Sequence, residues 1–181
     1  MRIVLRLIDG YCLAGGILAA LALAALFLIG AAEILLRYAF SASLPFIVEY
    51  NGYLLGIVFM AGLGYVLGRG GHIRVRVATA SLPPGAATAV EAVCTLLGLL
   101  ISGYLSLALL RLALGTWQIG TVSYFASQTP LYLPQGAMAL ASLTLTLAFL
   151  ARLLRLLAGQ PLEPGRPAAP EPARRALELP E

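Results

Sequence analysis

Of the chain's 181 residues, 60% are hydrophobic, only 11% are charged, and the mean hydropathy is +0.91. A water-soluble domain of this length carries about a quarter of its residues charged to cover its surface, so most of this chain's solvent must be lipid. The formal charge of +4 is carried by arginines with no lysine; they punctuate apolar runs instead of sharing a face with stacking aromatics, which excludes nucleic-acid binding.

In chain order, Arg2 and Arg6 lead into 23 uncharged residues between Asp9 and Glu33. As a helix these reach ~34 Å, enough for a hydrocarbon core of ~30 Å. A basic start before an apolar run also describes a cleavable leader. This run is too long for one, and no clear A-x-A-like site follows it before Glu33, so it is read as a retained first span, about 10–32. A short interfacial segment follows, rich in Ser, Pro and aromatics. Glu49 and Arg69 bracket 19 uncharged residues, a second span over about 49–68. The arginine-rich stretch "GRGGHIRVRV" comes next, and "SLPPG" opens a third span over about 87–110. Residues 112–130 are rich in Gly, Ser, Thr and aromatics, and the fourth span is expected at about 131–151. A bilayer interior admits only helices or closed barrels, and these runs lack a barrel's two-residue alternation. The fold expected is an all-α integral membrane protein: a four-span domain over 1–158 and a tail over 159–181. The tail, full of Pro, Ala, Glu and Arg, buries too little apolar surface to fold and is expected to be disordered.

Four spans place both termini and the loop between the second and third spans on one side. That side carries Arg2, Arg6, Arg69, Arg74, Arg76, Arg152 and Arg155 near the span ends; the other carries Arg37 and Arg111. The positive-inside bias places the first side in the cytoplasm. Arg69, Arg74, Arg76 and His72 are therefore read as cytoplasmic anchors.

The remaining polar groups sit near span ends. Glu33 and Arg37 share a helix face at i,i+4, either as an anchor for the end of the first span or as a partner contact. Glu49 and Glu91 lie near span entrances, and the central halves of all four runs carry no Asp, Glu, Arg or His. A carrier of charged cargo needs a polar site near the midplane. In the second span Gly52, Gly56, Met60, Gly64 and Gly68 recur every fourth residue, a stripe that lets another backbone approach. Cys12 and Cys94 lie in apolar runs as small hydrophobes. His72 is the only histidine, which argues against haem and metal sites, and no catalytic triad, HExxH or phosphate loop is present. No enzyme activity and no cofactor are expected.

The stretch "RYAFSASLPFIVEYNGYLLGIVFMAGLGYVLGRGGHIRV", followed by "LPPG", resembles the small permease subunit of tripartite ATP-independent periplasmic (TRAP) transporters, the DctQ family. The matching positions are Arg37-Tyr38 after the first span, Glu49 opening the second, then Gly70, His72, Ile73, Val75 and Leu82-Pro83. Departures are Phe46, Val48 and a single Glu49 where the family often has Trp and an acidic pair, and Arg76 where an Asp is frequent. The resemblance implies a non-catalytic scaffold subunit in the bacterial inner membrane. It would partner a large many-span TRAP permease subunit and a periplasmic solute-binding protein, in sodium-driven uptake of an organic anion, a carboxylate above all. Glu33, Arg37, Tyr38, Glu49, Gly52, Gly56 and Gly64 are its candidate partner-contact or structural residues. Two other classes compete: a self-sufficient four-span exporter, which needs a Glu well inside its first span, and the membrane anchor of a redox complex, which needs more than one histidine.

Overall fold

A computed structural model describes residues 2–71 and 83–160. It contains four helices: α1 (Arg2–Phe40), α2 (Ile47–Gly68), α3 (Pro84–Ile119) and α4 (Tyr132–Leu157). All four are long and apolar enough to cross a membrane. His72, Arg74, Arg76 and the tail from 161 onward lie outside the described residues, as do Ile73, Val75 and Leu82.

The helices run past the uncharged runs that mark them in the sequence. At 39 residues, α1 is ~58 Å long by its rise, nearly twice the hydrocarbon thickness. Asp9, Glu33 and Arg37 do not interrupt it, because charged side chains at a helix surface break no backbone hydrogen bond. What stops α1 is Ser41, in the left-handed region at φ 50°, with Ala42 N–H reaching back to the Leu36 carbonyl. Likewise α3 passes Arg111 and ends at Gly120, φ 71°, where a residue without Cβ takes the left-handed turn. Pro84 opens α3, where its missing N–H costs nothing. The 120–131 connection folds back on itself: Ser123 N–H donates to the Thr129 carbonyl at 2.9 Å and Leu131 N–H to the Thr121 carbonyl at 3.1 Å.

α4 is the hub. It packs against α1, α2 and α3; α1 also packs on α2, while α3 touches α4 alone among the described residues. The interior is made of small side chains. Ala19, Ala61 and Ala141 meet at mid-depth, and Leu5, Ile8, Cys12, Leu67, Ala148 and Ala151 meet near the chain ends. Large apolar side chains point outward, among them Phe27, Leu28, Leu100 and Ile101. Lipid tails are as apolar as leucine, so helix association relies on close packing of small groups rather than on hiding large ones.

Candidate functional site

The polar groups form four assemblies at successive depths. The outermost is built on Glu33, buried at 9% exposure. One carboxylate oxygen accepts from Arg37 Nη2 at 2.6 Å and from Ser43 Oγ at 2.7 Å; the other accepts from Leu44 N–H at 2.9 Å. A carboxylate on α1 thus clamps the turn leading into α2, with charge-assisted bonds stronger than neutral ones. Because the chain returns to the level of Glu33, the last turns of α1 stand beyond the start of α2. Tyr38 on that projection is 93% exposed. With Glu33, Ile34 and Arg37 it lines a shallow cavity of about 430 Å³. Glu33→Ala should free the 41–46 turn, read as faster protease nicking there. Arg37→Ala, which leaves the Ser43 and Leu44 bonds in place, should accelerate nicking much less.

Next is Glu49, 4% exposed in the first turn of α2. It accepts from Tyr53 Oη at 2.6 Å and from Ser127 Oγ. Thr129 Oγ1 joins this set, 3.2 Å from Ser127 Oγ and 3.3 Å from Tyr50 Oη. The carboxylate therefore ties the 120–131 connection down onto α2. Phe46, the residue before α2, and Tyr50 and Tyr53 in its first turns stand edge to face in succession, with ring centroids 5.8 and 5.9 Å apart.

At mid-depth the polar groups are hydroxyls. Ser142 Oγ lies 2.9 Å from Ser106 Oγ, which is 3.0 Å from Thr146 Oγ1, joining α3 to α4. Thr144 Oγ1 lies 3.1 and 3.2 Å from the Met60 and Ala61 carbonyls, joining α4 to α2. Around Thr144 the three helices α1, α2 and α4 come closest. A Cβ placed on Gly64 would meet the backbone carbonyl of Thr144, and one on Gly15 would lie 2.6 Å from the Thr144 methyl and 2.8 Å from the Ala61 oxygen. The stripe read from the sequence does not face one neighbour throughout. Gly56 faces the flexible tip of Met138, Gly64 faces Thr144, but Gly52 and Gly68 face open space. Residues four apart advance 40° round a helix at each step, so only the middle of the stripe meets α4.

On the side of the chain ends, α4 carries two buried arginines, Arg152 at 4% and Arg155 at 5% exposure. Arg152 donates to Glu91 on α3, and Arg155 Nη2 donates to Asp9 on α1 at 2.6 and 2.7 Å. The sequence reading counted both arginines only toward the charge bias. Their spacing of three residues, which puts both on one face of α4, was the available signal. Arg69, by contrast, is exposed and sits over the Tyr65 ring, 5.2 Å from its centroid. The Asp9–Arg155 pair puts the start of α1 and the end of α4 on one side. Among the described residues no group of three or more His, Cys, Asp or Glu is placed to hold a metal ion.

Four spanning helices, with polar groups holding the chain's own elements together and large apolar side chains turned outward, define a multi-pass helical membrane protein. The sequence model of the family described as "Tripartite ATP-independent periplasmic transporters, DctQ component" matches residues 26–159, and the chain belongs to that family. It is a small membrane subunit of a tripartite transporter. No curated protein and no solved structure matches it.

Proposed function

We propose that the chain braces the large permease subunit and helps dock the solute-binding protein, while cargo crosses through the large subunit. The observation that carries this is the state of the mid-depth polar groups. Ser106, Ser142, Thr144 and Thr146 are engaged with one another or with backbone carbonyls. No Asp, Glu, Arg or His side chain lies in the central half of any apolar run. An anion moving through this bundle would meet no compensating charge, and the cost of carrying a charge through hydrocarbon is several kcal/mol or more. A carrier with a midplane site must therefore be another chain. The outer projection of α1, with Tyr38, Arg37 and Phe40 exposed, offers aromatic and cationic groups of the kind enriched in protein interfaces.

The cargo proposed is an organic anion, a carboxylate, moved by the sodium gradient across the bacterial inner membrane. Proteoliposomes test this division of labour. Vesicles with this chain alone should accumulate no carboxylate along a sodium gradient. Vesicles with the large subunit and the binding protein should accumulate it only when this chain is present. Accumulation by the chain alone would overturn the proposal.

The orientation proposed has both termini and the 69–76 arginines in the cytoplasm. Reporter fusions should then read cytoplasmic after Ala158 and periplasmic at Ser123; the opposite pattern would invert the topology.

A further inference from the structure

α3 carries a charge that the bundle does not use. Arg111 is exposed, and it pairs with none of the described residues. Its depth follows from the contacts on either side of it. One and a half turns before it, Ser106 bonds to Ser142 and Thr146; one and a half turns after it, Thr116 bonds to Gln135 at 2.6 Å. Arg111 therefore lies level with the part of α4 between Gln135 and Ser142, where Met138 meets Gly56 of α2. Gly56 is about 10 Å along α2 from Glu49. With a bilayer core ~30 Å thick, the backbone at Arg111 stands among acyl chains.

The side chain also points away from its own bundle. Ser102 and Ala113 are buried on the side of α3 that meets α4, and Arg111 is about 180° and 160° round the helix from them. Leu100, Tyr104 and Leu107 share the outward face and are exposed with it, and Tyr104 Oη makes no hydrogen bond among the described residues. Cα–Cβ bonds tilt toward a helix's N-terminus, and α3 starts on the side of the chain ends, where Glu91 meets Arg152. The Arg111 stem thus sets off away from the nearer surface. A cation held at such depth is rare unless it pairs.

We infer that Arg111 pairs with an Asp or Glu carboxylate on a membrane helix of the large permease subunit, laid along the outward face of α3. The inference rests on the bracing role proposed above and names the face that performs it. A carboxylate complements a guanidinium cut off from water, because the two form paired, charge-assisted hydrogen bonds. This chain does not supply one. Among the described residues Asp9, Glu33, Glu49 and Glu91 are each engaged within the chain, near the ends of the bundle. A second copy therefore brings no uncommitted carboxylate to this depth. Leu100 and Leu107 give the partner helix an apolar surface to lie on, and Tyr104 offers it a hydroxyl two turns along from Arg111.

Co-expression of the whole transporter, with an affinity tag on this chain, tests the pairing. The large subunit recovered per tagged chain in mild detergent should fall roughly tenfold or more in Arg111→Leu, the scale for truncating one side of a charge pair shielded from water. Arg111→Lys, which keeps the charge, should recover much of it. The isolated Arg111→Leu chain should keep its melting temperature and its membrane level, because the side chain pairs with nothing in the bundle. A photo-crosslinking residue in place of Leu107 should capture the large subunit. Unchanged recovery in Arg111→Leu, a lower melting temperature for that variant alone, or crosslinks only to lipid or to a second copy would overturn the inference. A wild-type chain that recovers no large subunit would overturn the bracing role and this pairing with it, so the two failures read differently.

Discussion

Gly64→Ala is expected to destabilise the bundle by about 2–4 kcal/mol, although it adds a single methyl group and improves helix propensity. The methyl would run into the backbone carbonyl of Thr144 on α4. A backbone cannot step aside as a side-chain tip can, so α2 must move off α4 along this stretch. Overpacking of this kind costs ~1–3 kcal/mol. The displacement also lengthens the Thr144 hydroxyl's contacts with the Met60 and Ala61 carbonyls, worth roughly 0.6 kcal/mol each between membrane helices. Two sister substitutions calibrate the effect. Gly56→Ala meets only the flexible end of Met138, and Gly52→Ala meets nothing. The first should cost little, and the second should be neutral or stabilising by up to about 1 kcal/mol from propensity. Unfolding by a denaturing detergent, followed by circular dichroism, should therefore rank the three with Gly64→Ala far below the others. Equal midpoints for Gly64→Ala and Gly52→Ala would contradict the close approach.

That ranking also shows what could and could not be read from the residues alone. The existence of four helices was legible because the charges cut the chain into runs of membrane-spanning length. The ends of α2 came within two residues, but those of α1 and the C-terminal ends of α3 and α4 did not, because the charges used as cuts do not stop helices. Arg111 sits inside α3, and Asp9 and Glu33 inside α1; the true stops are the left-handed residues Ser41 and Gly120. The glycine stripe was legible as composition but not as a surface, since its 40° drift per step matters only once the neighbour's position is known. Thr144 gave no signal at all. A threonine in an apolar run becomes a joint only because Gly64 and Gly15 lie opposite it on two other helices.

The carboxylates teach a related lesson. Glu33 and Glu49 look alike in the sequence, each near a span end, and either was open to reading as an anchor or as a partner contact. In the fold each fixes a connection at the end of the bundle away from the chain ends: Glu33 holds the 41–46 turn, and Glu49 holds the 120–131 connection through Ser127. Both hold the surface at that end in one shape, which the docking role proposed for it would require if it is not to lose affinity to ordering. On the proposed reading, the residues that would meet another protein are those the clamps present, Tyr38 and Phe40 on α1 and Tyr124 on the 120–131 connection, all largely exposed.

Reversing the charge of Glu91 should have the second large effect, because among the described residues every hold on α3 comes from α4. Among the described residues α3 packs on α4 alone, through Gly98 against the Phe149 ring, Ser106 against Ser142 and Thr146, Thr116 against Gln135, and Glu91 with Arg152. Arg152 is 4% exposed. Glu91→Arg would place a second cation against a guanidinium that has little access to water. Breaking a buried pair costs roughly 3–5 kcal/mol, and the partial exposure of Glu91 (28% of its side chain) keeps the expected loss toward the lower end. Because α4 is the one described helix on which α3 packs, a loss of that size should loosen α3 in the bundle, and the membrane-inserted level should fall several-fold. The reciprocal double substitution, Glu91→Arg with Arg152→Glu, restores the pair with its polarity exchanged and leaves the net charge on that side unchanged. It should recover most of the inserted protein, whereas Arg152→Glu alone should not. If the double variant is no better than the worse single one, the two residues are not a pair in the membrane, and α3 must be held by its apolar and hydroxyl contacts alone.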